Sequence, residues 1–250
     1  MDETTILAPD GTPLAYRRQE GRGPGVVFLG GFNSDMTGTK AEYLAEWCAS
    51  RGRAFLRFDY SGHGASGGLF EDGTISRWLA DAEAVLLALT EGPQVLVGSS
   101  MGGWIATLLA LRHAERVCGL VGIAPAPDFT QELMWAGFTP EIRSAIARDG
   151  VWMRPSEYGA PFPITRALIE DGRHNLVLGG PIALQCPVRI LQGDADPDVP
   201  WRHALRLMEA LESEDVQFTL VKGGDHRLSS PRDLLLLGRA VGALLGEDGA

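Results

Sequence analysis

"PQVLVGSSMGGWIATLLALRH", Pro93 to His113, runs from a short apolar segment into a helical repeat, with two serines and three glycines at the junction. The run from Val95 to Val97 has the character of a buried strand. The apolar residues from Trp104 onward recur at helical spacing. Between them lies G-x-S-x-G, as Gly98-Ser-Ser100-Met-Gly102. The pattern alone is weak. With 32 glycines in 250 residues, about 0.2 matches arise by chance, and a second match stands at Gly64-Ala-Ser66-Gly-Gly68.

Context separates the two. A serine at a sharp strand-to-helix turn is presented at the helix N-terminus, where free N–H groups and the positive end of the dipole favour a developing oxyanion. Ser100 has a strand before it and a helix after it; Ser66 is followed by more glycine and acid, with no helix until about Thr74. Ser99 reads as a small residue that fits the packing of the turn. The same glycine-rich stretch holds Gly62-x-Gly64-x-x-Gly67, but a dinucleotide site needs a helix to open at the glycines, so no nicotinamide cofactor is expected.

Outward from this junction, short apolar runs recur at 25–31, 54–60, 117–124, 188–193 and 216–221, after a hairpin in the first twenty residues. Helical patterns lie between them at 40–50, 74–90, 201–212 and 231–245. Strands apolar on both faces, alternating with helices, predict an α/β fold with a mostly parallel sheet covered on both sides. The rhythm breaks between Pro125 and Pro187. That interval carries amphipathic stretches and the large apolar residues Trp135, Phe138, Trp152, Met153, Tyr158 and Phe162. Two readings stay open for it, a second small core or a lid over a site. The chain is expected to be one domain, 1–250, with a cap insertion at about 126–185.

A net charge of −10 argues against a nucleic-acid surface. No apolar run is long enough to span a bilayer, and the acidic N-terminus shows no signal segment. Cys48, Cys118 and Cys186 have no metal-ligand spacing, so no metal is expected and the thiols read as buried and reduced. The expected compartment is the cytoplasm. The composition leaves the oligomeric state open.

A serine hydroxyl needs a base, and the base needs a carboxylate to orient it. With this turn the order along the chain is serine, acid, histidine. His63 and His113 lie too early or on a helix, His174 lies in the insertion and His203 on a helix face. His226, in "VKGGDHRLSS", follows the last strand through a glycine turn. The loop "QGDADPDVPW" offers Asp194, Asp196 and Asp198, any of which could be a turn former. The D-x-x-V-P pattern common in hydrolases of this type selects Asp196, with Val199 and Pro200. By position the backbone N–H groups of Phe32 and Met101 would receive an oxyanion, with Gly30 and Gly31 allowing close approach. Gly31, Trp135 and Trp152 are the expected substrate-binding positions.

"TGTKA" (37–41), "RFDYSGHGAS" (57–66), "VGSSMGGW" (97–104), "VWMRPSEY" (151–158), "VPW" (199–201) and "DHR" (225–227) together resemble one family of α/β-hydrolases. It includes the mitochondrial S-depalmitoylases, palmitoyl-protein thioesterases also described as acyl-glucuronide esterases. The resemblance runs from about Gly25 to the C-terminal helix and places the family's catalytic serine, aspartate and histidine on Ser100, Asp196 and His226. It implies hydrolysis of acyl thioesters or esters of proteins or small molecules, with no cofactor. Because no transit segment is visible, a bacterial relative or a mature form is expected. A small-molecule carboxylesterase without thioester preference is the alternative. A non-catalytic binding module is disfavoured by the complete set of three side chains.

Overall fold

The structure, a computed structural model, describes residues 4–155 and 161–247. The first half of the chain forms β1 (Thr4–Leu7), β2 (Pro13–Gln19), β3 (Arg22–Leu29), α1 (Thr39–Ser50), β4 (Arg53–Phe58), α2 (Ile75–Leu89), β5 (Gln94–Ser99), α3 (Met101–Arg112) and β6 (Val117–Ile123). After it come α4 (Pro140–Asp149), β7 (Val151–Arg154), β8 (Phe162–Thr165), α5 (Arg166–Gly172), β9 (Val188–Gly193), α6 (Trp201–Ala210), β10 (Val216–Val221) and α7 (Pro231–Leu244).

Eight strands form one sheet in the order β1-β2-β4-β3-β5-β6-β9-β10. The β1–β2 and β2–β4 pairings are antiparallel and the others parallel. Successive side chains of a strand point to opposite faces, and the core divides accordingly. Val27, Leu29 and Leu96 face α2 and α3, whereas Val26, Phe28, Val95 and Val97 face α1 and α7. Each central strand is therefore apolar on both faces, as the sequence pattern requires. The chain crosses over between β4 and β3 and between β3 and β5, so loops from both directions meet at the carboxyl end of β5. That end is where an open parallel sheet places its ligand crevice.

The 126–185 segment, whose amphipathic stretches predict a helical cap, is not helical throughout. It opens with a π-helical turn, Thr130–Trp135, and includes a separate antiparallel pair, β7 with β8. The amphipathic stretch Pro163–Gly172 reads as helical from the sequence, but its first three residues belong to the strand Phe162–Thr165; the helix begins at Arg166, with the Thr165 hydroxyl accepting from the Leu168 N–H. A proline at 163 cannot donate to a ladder but fits an edge strand. The segment is docked by two buried polar contacts: the Trp104 indole donates to the Asn175 carbonyl at 3.0 Å, and His203 Nε2 donates to the Pro127 carbonyl at 2.7 Å. The motif position Tyr158 lies outside the described residues.

Candidate active site

Ser100 sits between β5 and α3 with φ 54° and ψ −117°. A non-glycine residue in this region is strained by about 1–3 kcal/mol and persists only where its surroundings hold it. Here they do. The Ser100 N–H donates to the Ile123 carbonyl at 2.9 Å, and its own carbonyl accepts from Gly103 and Ala126 at 2.9 and 3.1 Å. The flanking glycines are required by space: a Cβ on Gly98 would fall on the Gly102 carbonyl, and one on Gly102 would fall on the Leu29 carbonyl.

His226 lies on the loop after β10, and its Nε2 is 3.1 Å from Ser100 Oγ. Its Nδ1 is 2.8 Å from Asp196 Oδ2. The Asp196 carboxylate only accepts, so Nδ1 carries the proton, Nε2 is the acceptor, and the serine hydroxyl donates to it. Asp196 Oδ1 accepts from the amides of Asp198 and Val199, both at 2.9 Å, and Oδ2 also accepts from Gln192 Nε2 at 3.0 Å. Burial, the largest single effect, pushes this carboxyl upward; the His226 bond and the two amides together outweigh it, and its pKa lies below the ordinary value. Four donors thus hold a fully buried anion.

The rival acids and serines are accounted for. Asp194 is a turn residue, accepting from the Gly223 amide and from Lys222. The Asp198 side chain is exposed. The Ser66 hydroxyl donates to the Asp59 carbonyl and accepts from the Ala15 N–H, which ties a loop to β2. Asp196, Asp198 and His226 are the one trio among the described residues with metal-ligand atoms within reach of one another, and two of them are already bonded to each other.

A cleft of about 320 Å³ opens beside Ser100, between Gly31, Phe32, Lys40, His226 and Arg227. Gly31 packs against the Ser100 residue itself; a Cβ there would lie 3.5 Å from that of Ser100. Among the described residues, neither the Phe32 nor the Met101 N–H donates to another protein group. Half-buried Lys40 donates to the Arg227 carbonyl at 2.6 Å, and burial lowers its pKa to about 8.

Trp135 and Trp152 are not among the residues lining this cleft. Both pack on Phe138, with ring centroids 6.5 and 5.4 Å away, and the guanidiniums of Arg143 and Arg173 lie over the Trp135 ring. Their faces are used within the 126–185 segment and against the main core, with which the segment's buried residues are continuous. The aromatic residues next to Phe32 are Phe129 and Phe162, each within 6 Å of its ring, with Phe70 and Trp78; these four pack against the Phe32 ring and do not line the cleft either. Sequence reasoning missed Phe129, Gln192 and His63 as neighbours of the site. Only the fold brings them there; His63 lies within the motif "RFDYSGHGAS", but the motif assigns it no role beside the serine.

This sheet order, with a serine at the tip of β5 and its histidine after the last strand, is the α/β-hydrolase fold. The Hydrolase_4 family (serine aminopeptidase, S33) matches residues 24–155. Mouse mitochondrial palmitoyl-protein thioesterase ABHD10 is 41% identical over 90% of this chain and 76% of its own length. The structure of alpha/beta hydrolase domain-containing protein 10 from mouse superposes with a TM-score of 0.91 at 37% identity, covering both chains fully. A crystal structure from Agrobacterium vitis S4 superposes at 0.93 with 47% identity over 97% of this chain and 98% of that one. The chain belongs to the Hydrolase_4 family of α/β-hydrolases, in the branch of the ABHD10 palmitoyl-protein thioesterases. It is an ester-cleaving enzyme, acting on acyl thioesters or esters.

The cytoplasmic expectation does not stand. Relatives matching nine-tenths or more of this chain are mitochondrial proteins, and composition and charge do not distinguish the two compartments. No helix among the described residues is long and apolar enough to cross a membrane.

Proposed function

We propose that the enzyme cleaves long-chain acyl thioesters and esters through an acyl intermediate on Ser100. Ser100 Oγ attacks the acyl carbonyl carbon while its proton passes to His226 Nε2. Asp196, kept ionised, holds the imidazole in the required tautomer and stabilises its charged form. The amides of Phe32 and Met101 receive the carbonyl oxygen as it becomes an oxyanion. Collapse expels the thiolate or alkoxide, which takes the proton from His226. Water then attacks the acyl-serine by the same route and releases the acid.

The observation that carries this reading is the unbroken bonded series from Ser100 Oγ through both ring nitrogens of His226 to Asp196, starting at a strained helix N-terminus. Two amides without partners beside it support the oxyanion role. We read 126–185 as a cap whose Phe129 and Phe162 extend an apolar face from Phe32, suited to an acyl chain. The names of the relatives, palmitoyl-protein thioesterases, agree with that chemistry. A burst of p-nitrophenol from a p-nitrophenyl ester, with matched oxygen and sulfur esters of one acyl group, tests both parts. Equal turnover of the matched pair would favour the carboxylesterase alternative; no burst and no covalent adduct would remove the acyl-enzyme.

A further inference from the structure

His63 is buried, stands far from Ser100 in the sequence and takes no part in the mechanism above. It is held from two sides. The Asn33 N–H points at Nε2, 3.2 Å away, so Nε2 carries a lone pair and not a proton. Nδ1 lies 3.2 Å from the Ser61 carbonyl, so Nδ1 carries the proton. The tautomer is set by these two contacts together. The Ser61 end is itself anchored, its N–H and hydroxyl both donating to buried Asp81 at 2.8 and 2.7 Å and its carbonyl accepting from the Trp78 indole. The rings of Tyr60, Phe70 and Trp78 surround the imidazole edge-on at 5.7, 5.1 and 5.2 Å.

What this anchored imidazole grips is the turn that carries Phe32. Residues 31–34 close a β-turn through Ser34 N–H to the Gly31 carbonyl at 3.3 Å, and the Ser34 hydroxyl donates to the same carbonyl at 2.8 Å. Asn33, third in the turn, has φ 56°, a conformation asparagine tolerates and most residues resist. In a trans peptide the C=O and the following N–H point opposite ways. Fixing the Gly31 carbonyl on Ser34 therefore aims the Phe32 N–H away from Ser34. The next peptide is fixed by His63. With its own carbonyl held on Ser34 and the following peptide held on His63, the Gly31–Phe32 peptide is kept from flipping.

We propose that His63 is a positioning residue for the oxyanion site, its Nε2 lone pair holding the Asn33 N–H so that the Phe32 N–H stays aimed at the reacting carbonyl oxygen. This rests on Phe32 being the oxyanion donor read above. Its effect falls on the transition state, where the Phe32 N–H meets a full negative charge. Phe70 and Trp78 touch both the imidazole and the Phe32 ring, so the variants used to test it must keep a ring or a side chain of similar bulk in the box.

The test compares His63→Phe, which keeps a ring in the aromatic box but offers no acceptor, with His63→Gln, whose amide oxygen can accept. Active sites are titrated to completion with a fluorophosphonate, and kcat and KM for p-nitrophenyl octanoate are expressed per titrated site. His63→Phe is expected to lower kcat about 10²-fold, the scale of losing one oxyanion donor, with KM nearly unchanged. His63→Gln is expected to recover part of that loss. Ser34→Ala, on an exposed side chain, removes one of two bonds to the Gly31 carbonyl and is expected to lower kcat roughly threefold. Wild-type kcat per titrated site in His63→Phe overturns the inference. So does a loss confined to the number of titratable sites. Should His63→Phe fail to fold, wild-type kcat in Ser34→Ala overturns it instead. Ser100→Ala separates the two levels: if it is inactive while His63→Phe equals wild type per site, the positioning role alone falls, whereas turnover by Ser100→Ala removes the acyl-enzyme reading first.

Discussion

The turn at Ser100 and the inserted segment 126–185 are both densely packed, yet different forces hold them. At Ser100 the contacts are directional: a positive φ, three backbone hydrogen bonds at one residue, and a carboxylate with four donors two bonds away. In the insertion they are mostly aromatic, with Trp135, Phe138 and Trp152 packed in series. Directional contacts fix reacting atoms to fractions of an ångström. Aromatic contacts fix a surface and tolerate change in its detail. In the proposed reading the chemistry belongs to the sheet, and the choice of acyl group to the side chains that the 126–185 segment places against Phe32.

Substitutions sort along this divide. Ser100→Ala is expected to cost about 10⁶ in kcat, by analogy with serine hydrolases, whereas Ser66→Ala and Ser99→Ala retain most activity; steady-state kinetics on the three variants decides. Asp196→Asn is expected to cost about 10⁴, since the amide would hold the wrong histidine tautomer toward the serine. Asp194→Asn and Asp198→Asn are far milder, because one closes a turn and the other faces solvent. An equally severe loss at Asp198 would move the acid and break the bonded series described here.

On the other side of the divide the effects are smaller and selective. Each buried methylene contributes about 0.8 kcal/mol, so kcat/KM is expected to rise from acetyl to octanoyl esters. Phe162→Ala should flatten that rise while leaving acetyl turnover nearly intact; Phe129→Ala, whose ring is buried against Trp104 as well, should flatten it and lower the melting temperature too. Trp135→Ala and Trp152→Ala should instead lower the melting temperature and scale all chain lengths alike, as residues that pack on each other. A flattened profile in a tryptophan variant would put the acyl group deeper in the insertion.

The smallest expected effect concerns pH. Asp196 has a folded pKa below its ordinary value, so its contribution to stability is fully present above about pH 4, the unfolded value, and is lost as pH falls through the depressed one. The melting-temperature gap between wild type and Asp196→Asn should narrow as pH drops below 4. A gap that is constant with pH would show that the carboxylate contributes nothing by its charge.

Much of this was legible in the sequence, and unevenly. Ser100, Asp196 and His226 could be placed because each follows a strand whose apolar run is visible in the sequence, and strand ends meet in a parallel sheet. The helices fell within two residues of their expected limits for the same reason. The insertion resisted. Pro163–Thr165 form the second strand of a ribbon instead of a helix's first turn because they pair with β7, a partner the local pattern does not announce. Trp135 and Trp152 are large and apolar wherever they point, so composition alone could not say that Phe138 occupies them. His63 stands in a quoted motif and Gln192 four residues before Asp196, yet neither is marked as part of the site; the contact of His63 with Asn33, thirty residues away, comes from the fold.

The most direct test is to trap the acyl-enzyme. Rapid acid quench after mixing the enzyme with p-nitrophenyl octanoate, followed by peptide fragmentation in the mass spectrometer, locates the acyl group to a residue. One octanoyl group on Ser100, formed at the rate of the p-nitrophenol burst and absent in Ser100→Ala, is the predicted result. An adduct on Ser99 or Ser66, or full turnover with no adduct at any quench time, would contradict it.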